Sequence, residues 1–129
     1  MGTRRKYMKR EGTLVVAIQL NLDTSGFTYR KWGGDQMCKP GDWIVNNMGD
    51  IYTVDRETFE RTYSASSLGC YRKTAPVWAE IADRDGVIKT KEGITRYKAG
   101  DYLVFNDEAE QDGYSVTASS FETMYEAMA

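Results

Sequence analysis

Asp42 and Asp101 invite a chemical reading, because each follows a glycine and precedes an aromatic residue, in Gly41-Asp42-Trp43 and Gly100-Asp101-Tyr102. Two equivalent carboxylates facing one another could divide acid and base roles by pushing their pKa values apart. An aspartate after glycine at the mouth of a strand also accepts backbone N–H bonds and fixes a turn, and that structural role is the preferred expectation. The chain has no histidine. This removes imidazole bases, histidine-dependent nucleophile triads and the usual zinc sets. A loop of EF type starting at Asp83 puts Ile94 where a glutamate is required, and one starting at Asp107 puts Asp112 at the glycine position, so neither fits calcium. The acidic run from Asp107 to Gly113 is expected to be a solvated hairpin tip. No phosphate loop or dinucleotide fingerprint exists, and neither a metal nor a cofactor is expected.

Basic and aromatic side chains offer a different chemistry. Arg30, Lys31 and Trp32 follow Tyr29 in one segment, and Lys89 and Lys91 stand in a second segment with Arg96 nearby. In an otherwise acidic body these residues could hold a planar or anionic ligand by charge pairing and stacking. They are the candidate binding residues, set against the plainer reading of an exposed strand face with lysines guarding its edge.

The elements that must position these residues are written twice. Lys39-Pro40-Gly41-Asp42-Trp43-Ile44-Val45 returns as Lys98-Ala99-Gly100-Asp101-Tyr102-Leu103-Val104, 59 residues later at the Gly-Asp. Tyr52, Val54, Phe59 and Tyr63 then match Tyr114, Val116, Phe121 and Tyr125 at 62, which leaves the second hairpin loop three residues longer. Such self-similarity points to one supersecondary unit used twice. Each unit reads as a turn, a strand, a hairpin loop and a return strand, followed by a short helix. Asp55 and Thr117 take the N-cap position, and Val54–Phe59 and Val116–Phe121 fit the hydrophobic staple. Leu14 to Leu20 and Pro76 to Ile81 supply an upstream strand in each unit, and Phe27 to Gly33 and Val87 to Gly93 a further strand and turn. Trp43, Trp78 and Tyr102 are expected in the core.

The fold class expected is therefore α+β: a tandem repeat of two small β-hairpin-rich sheets or half-barrels, each closed by a short helix. Residues 1–10 read as a basic N-terminal arm, 11–63 as the first repeat, 64–75 as a connector and 76–129 as the second repeat, packed as one compact domain. The first ten residues carry five positive charges. Removing them leaves 12 basic against 19 acidic residues, a body near −7, which argues against a nucleic-acid surface outside the arm. No apolar run approaches a membrane span and no signal peptide is visible, so residence in the cytoplasm is expected. Cys38 and Cys70 fall at non-equivalent points and are expected to be buried free thiols.

The Gly-Asp-aromatic core, the Tyr-x-Val that follows and the Phe-x-x-x-Tyr helix resemble the PGDYG family of small bacterial and phage proteins. The second unit, with Val77-Trp78-Ala79, Thr90-Lys91-Glu92-Gly93 and Ala99-Gly100-Asp101-Tyr102, is the closer match. The resemblance implies a fold and a bacterial or phage setting, hence the host cytoplasm if phage-encoded, and brings no catalytic residues with it. The function expected is a non-catalytic binding module. It would hold a small anionic ligand, nucleotide-like among the options, or a partner protein at a repeat or subunit seam, for example as a phage accessory protein sequestering a host factor. The alternatives are a small enzyme using carboxylates and lysines, or an assembly protein that forms homo-oligomers.

Overall fold

A computed structural model describes residues 4–109 and 111–128. The chain opens with β1 (Arg5–Lys9), β2 (Val15–Gln19), β3 (Phe27–Lys31), β4 (Gly34–Cys38), β5 (Trp43–Asn47) and β6 (Asp50–Val54). Helix α1 (Arg56–Thr62) leads into β7 (Tyr63–Ser67) and β8 (Cys70–Lys73). Then come β9 (Val77–Ile81), β10 (Gly86–Lys89), β11 (Ile94–Tyr97), β12 (Tyr102–Phe105), β13 (Gly113–Val116), α2 (Ala118–Met124) and β14 (Tyr125–Ala127). The protein is mostly β, with 52% of the described residues in strands, so the helical share expected of an α+β fold is small.

Two five-stranded sheets carry the architecture, in the orders β6-β5-β2-β8-β7 and β13-β12-β9-β1-β14, and all their pairings are antiparallel. The hairpins β3-β4 and β10-β11 form separate two-stranded sheets, and among the described residues no sheet closes into a barrel. Alternation along β2 buries Val15 and Ala17 and exposes Val16 and Ile18, as a sheet with one covered face requires. The covered faces make two cores. Val15, Ala17, Val45 and Phe59 form one; Val77, Ala79, Tyr102, Val104, Phe121 and Tyr125 form the other.

The Gly-Asp turns have the same bonding in both places. Gly41 N–H donates to Leu20 O at 2.8 Å and Lys39 N–H to Asp42 Oδ2 at 2.9 Å; Gly100 N–H donates to Ala82 O at 2.9 Å and Lys98 N–H to Asp101 Oδ2 at 3.0 Å. Gly41 at φ 93° and Gly100 at φ 94° stand in the left-handed region that glycine adopts at little cost. Helix α1 starts where Asp55 Oδ2 accepts Thr58 N–H at 3.3 Å, and Val54 packs on the Phe59 core. Thr117 occupies the same place before α2 but makes no side-chain cap bond. Each helix ends on a tyrosine in extended backbone that stacks on the helix phenylalanine, Tyr63 on Phe59 at 4.5 Å and Tyr125 on Phe121 at 4.7 Å.

Three expectations are corrected. Most of the basic arm is not an arm: Arg5–Lys9 is β1, seated between β9 and β14, with Tyr7 edge-on to Phe121 at 4.9 Å. A run read from its charge alone hid the alternation that turns Tyr7 and Lys9 inward. The connector 64–75 is largely the β7–β8 hairpin, whose Ser and Ala residues suit an exposed edge strand. Trp78 lies half-buried on the outer face of its sheet, with the Lys6 ammonium 5.5 Å above its ring. Of the two thiols, Cys38 is buried and Cys70 half-buried, and both are free. Residues 1–3 of the arm lie outside the described residues. Replacing Tyr7→Ala is expected to destabilise the protein by about 2–3 kcal/mol, because it removes an aromatic ring from a core. A shift in the urea midpoint as small as that of a surface substitution would restore the arm reading.

Candidate functional site

Hairpin β3-β4 leans over the outer face of the first sheet. The Tyr29 hydroxyl lies 2.6 Å from Thr53 Oγ1 and accepts Thr53 N–H at 3.0 Å, which fixes β3 against β6. Between them is a cavity of about 310 Å³ lined by Phe27, Tyr29, Arg30, Lys31, Ile44, Ile51, Tyr52 and Thr53. Its apolar floor continues onto uncovered side chains, Ile51 at 49%, Val16 at 54% and Ile18 at 68% exposure. The two cations at its edge are already paired, Arg30 with Asp35 at 3.0 Å and Lys31 with Asp50 at 2.8 Å. The Arg30–Asp35 pair is exposed on both sides and contributes little, while Lys31 is half-buried and its partner Asp50 exposed.

The other expected binding residues go elsewhere. Trp32, at φ 57°, makes the tight β3-β4 turn and tilts against Tyr52 at 5.8 Å. Arg96 crosses to that turn, its amide donating to Trp32 O at 2.9 Å and its Nε to Gly33 O at 3.1 Å. This clasps β11 to β4, where Gln36 bridges Gly93 and Gln36 Nε2 donates to Ile94 O at 2.6 Å. A Cβ at Gly93 would lie 1.9 Å from Asp35 O, so only glycine permits that approach. Lys91 reaches α1, and Lys89 is exposed at the end of β10. The six residues therefore do not form one site; only Arg30 and Lys31 meet in a cavity.

At α1, Lys91 Nζ donates to Thr58 Oγ1 at 3.0 Å, and Thr58 Oγ1 donates to Asp112 Oδ2 at 2.6 Å. The lysine–hydroxyl–carboxylate series resembles an activated nucleophile. Its members are otherwise engaged: Thr58 is only 3% exposed, and Asp112 pairs with Arg61 at 3.2 Å. The expected solvated tip thus puts Asp112 in a buried ion cluster, while Asp107 Oδ1 holds the loop by accepting Gln111 and Asp112 N–H. Burial pushes the Glu92 carboxyl up to about 7, although it accepts Asp55 N–H at 2.6 Å, and Asp112 and Asp55 add to the rise. Asp42 is buried and accepts Lys39 Nζ at 3.0 Å and Arg56 N–H at 3.1 Å. Asp101 serves its own turn on the other sheet, where its Oδ2 accepts Lys98 N–H at 3.0 Å, so the two aspartates do not face one another as an acid and base pair.

The seam between the sheets holds residues that the sequence reading passed over. Lys73 ends β8, yet its amine donates to Asn106 Oδ1 at 2.8 Å, just past the end of β12, and to the hydroxyl of Tyr114 on β13 at 3.1 Å. It also lies within 6 Å of the Tyr63, Tyr114 and Tyr125 rings, at 5.7, 5.4 and 5.9 Å. Burial lowers Lys73 to about 7, the neighbouring Lys9 charge acts in the same sense and Asp112 opposes it. Burial also lowers Lys9 to about 8. The hydroxyls around them are pushed the other way: Tyr52 to about 12, and Tyr63, Tyr114 and Tyr125 well above their ordinary value, all by burial first. Tyr7-Met8-Lys9 and Tyr71-Arg72-Lys73 share a Tyr-x-Lys pattern 64 residues apart, but Tyr29-Arg30-Lys31 on β3 shows it too, so the pattern alone does not mark the cluster. No protein-family model, curated protein or solved structure matches the chain. No helix among the described residues is long and apolar enough to cross a membrane.

These shifts set a stability profile. Between about 7 and 10.5 the unfolded chain binds more protons than the folded one at Lys73 and Lys9, so stability rises with pH across that window. Glu92, folded near 7 against 4.5 unfolded, does the reverse, and stability falls as pH rises from 4.5 to 7. Unfolding in urea should show a minimum near neutral pH, with changes on the order of a few kcal/mol on either side. Lys73→Met should flatten most of the alkaline rise and Glu92→Gln the acid fall; an unchanged slope in either variant refutes that assignment.

Proposed function

We propose that this protein is a non-catalytic binding module whose ligand is a small planar anion of the nucleotide kind, held on the outer face of the first sheet. The observation that carries the reading is the cavity of about 310 Å³ with an apolar floor and the Arg30 and Lys31 cations at its edge. That volume lies at the lower end of the range for small-ligand sites. Phe27, Ile44 and Ile51 would meet a planar body, and exchange of Asp35 and Asp50 for the ligand's anion would bring it charge-assisted hydrogen bonds. The carboxylates that an enzyme reading needs, Asp42 and Asp101, are occupied by their own turns.

We further propose that the two sheets are copies of one unit, as the PGDYG-like motifs suggest. The strand orders support this, since β2, β5, β6, α1, β7 and β8 correspond in place to β9, β12, β13, α2, β14 and β1. So do the registers, in which Tyr63 faces Lys73 and Tyr125 faces Lys9. On this reading the second copy takes its last strand from residues that precede the first. The two outer faces have diverged: Ile18 and Ile44 on one side correspond to Glu80 and Leu103 on the other, where Arg4 pairs with Glu80. Divergence of this kind would confine ligand binding to the first copy.

A thermal-unfolding screen against nucleotides tests the function. A ligand at a hundredfold excess over its Kd should stabilise the protein by about 2.7 kcal/mol. The shift should be lost in Lys31→Glu and weakened in Arg30→Gln, with little change in the unliganded Tm of either. No shift with any nucleotide, or one that survives Lys31→Glu, overturns the proposal.

A further inference from the structure

Strand β1 occupies a peculiar place. It pairs on one side with β9, Arg5 opposite Ala79 to Tyr7 opposite Val77, and on the other with β14, Tyr7 opposite Ala127 to Lys9 opposite Tyr125. In the sheet order it is the sole link between β14 and the remaining strands. The next strand, β2, sits at the centre of the other sheet. The connection between them is residues 10–14, with Glu11 and Gly12 exposed and Gly12 at φ 82°. The corresponding strand of the first sheet, β8, is tied to its neighbour β7 by a tight hairpin. No hairpin ties β1 to β9 or β14. The gap it fills is thus a complete strand-acceptor slot, with two backbone edges and an aromatic socket where Tyr7 meets Phe121 at 4.9 Å and Tyr102 at 6.2 Å.

We propose that the slot between β9 and β14 accepts β1 from a second copy of this chain, giving a closed dimer by reciprocal strand exchange. The backbone bonds and the Tyr7 socket are the same whether β1 arrives from its own chain or from another. The two arrangements differ chiefly in the path of residues 10–14 and in effective concentration, so the balance between them depends on protein concentration. A second copy is the occupant favoured because the slot's contacts are specific to this strand. Lys6 lies over Trp78, Arg4 pairs with Glu80, and the Arg10 guanidinium donates to Glu122 O at 3.0 Å.

A cysteine-pair experiment separates the two arrangements. Met8 faces Glu126, and the flanking bonds Arg10 N–H to Met124 O at 2.8 Å and Met128 N–H to Lys6 O at 3.0 Å make this a hydrogen-bonded pair. Its Cα atoms are then about 5.5 Å apart, within the disulfide range of about 4.4–6.8 Å. The full chain is prepared in a Cys70→Ser background as Met8→Cys, as Glu126→Cys and as the double variant; Cys38 is fully buried and remains. The two single variants are unfolded, mixed, refolded over a range of protein concentrations and oxidised. Exchange predicts M8C–E126C linked dimers in the mixture, rising with concentration and exceeding any dimer formed by either variant alone. It predicts that the double variant links within one chain when dilute and between chains when concentrated. A mixture that stays monomeric at every concentration while the double variant closes within its own chain overturns the proposal. So does the absence of any link in the double variant, since β1 would then not lie beside β14.

Discussion

The amine of Lys73 belongs by sequence to one sheet and by its bonds to the other. It ends β8, and its partners Asn106 and Tyr114 come from the second sheet. Burying an ammonium is costly, which is why the amine is lowered to about 7, and an amide oxygen, a phenol and three aromatic rings surround it. That set of partners constrains everything around it. Tyr63 and Tyr125 must end their helices in extended backbone to place their rings, and α1 and α2 must be short enough to deliver them. The two cores can then meet across a polar seam without either sheet curling into a barrel. Neither sheet alone has enough covered area to stand as a domain of this size.

A second consequence concerns charge. Cations near the seam and α1 are taken up internally, Lys91 by Thr58 and Asp55, Arg61 by Asp112, and Lys39 by Asp42. The longer loop between β12 and β13 exists in energetic terms to carry Asp112 to α1, where it couples the two halves. Arg30 and Lys31 of the β3-β4 hairpin pair with the exposed carboxylates of Asp35 and Asp50, beside an apolar outer face. Buried pairs resist exchange because breaking them strands a charge, whereas exposed pairs cede their partners readily. On the proposed reading, the pairs at the hairpin are the ones that would leave charge available to a ligand.

The local elements were legible in the sequence because each had its own marker. Gly41-Asp42 and Gly100-Asp101 announced turns, Asp55 a helix cap, and Phe59–Tyr63 and Phe121–Tyr125 a stacking pair, and these features appear at those residues. What escaped were contacts between residues far apart in the chain. Charge dominated the reading of residues 1–10, so the Tyr-x-Lys alternation was overlooked, although it recurs at Tyr71 and Lys73. The serine-rich stretch from Ser64 looked like a linker because an exposed edge strand needs no apolar residues. The candidate cations were chosen by type, and type alone does not separate Arg30, beside a cavity, from Arg96, which bonds to a turn carbonyl.

The clasp of the two hairpins explains why the cavity keeps its shape. Gly93 meets Asp35 at a distance that excludes a side chain, and Arg96 bonds to both Trp32 and Gly33. These contacts anchor the tip of β3-β4, while the Tyr29–Thr53 bonds anchor its middle to β6. A two-stranded hairpin by itself has marginal stability in water. Held at two points, by the β10-β11 hairpin and by β6, it becomes a fixed wall over Ile44 and Ile51, so a hairpin that lines none of the cavity helps to shape it. Rigidity of that kind lowers the ordering cost of binding. On the proposed reading, the clasp and the Tyr29–Thr53 bonds together set how well the site is preorganised.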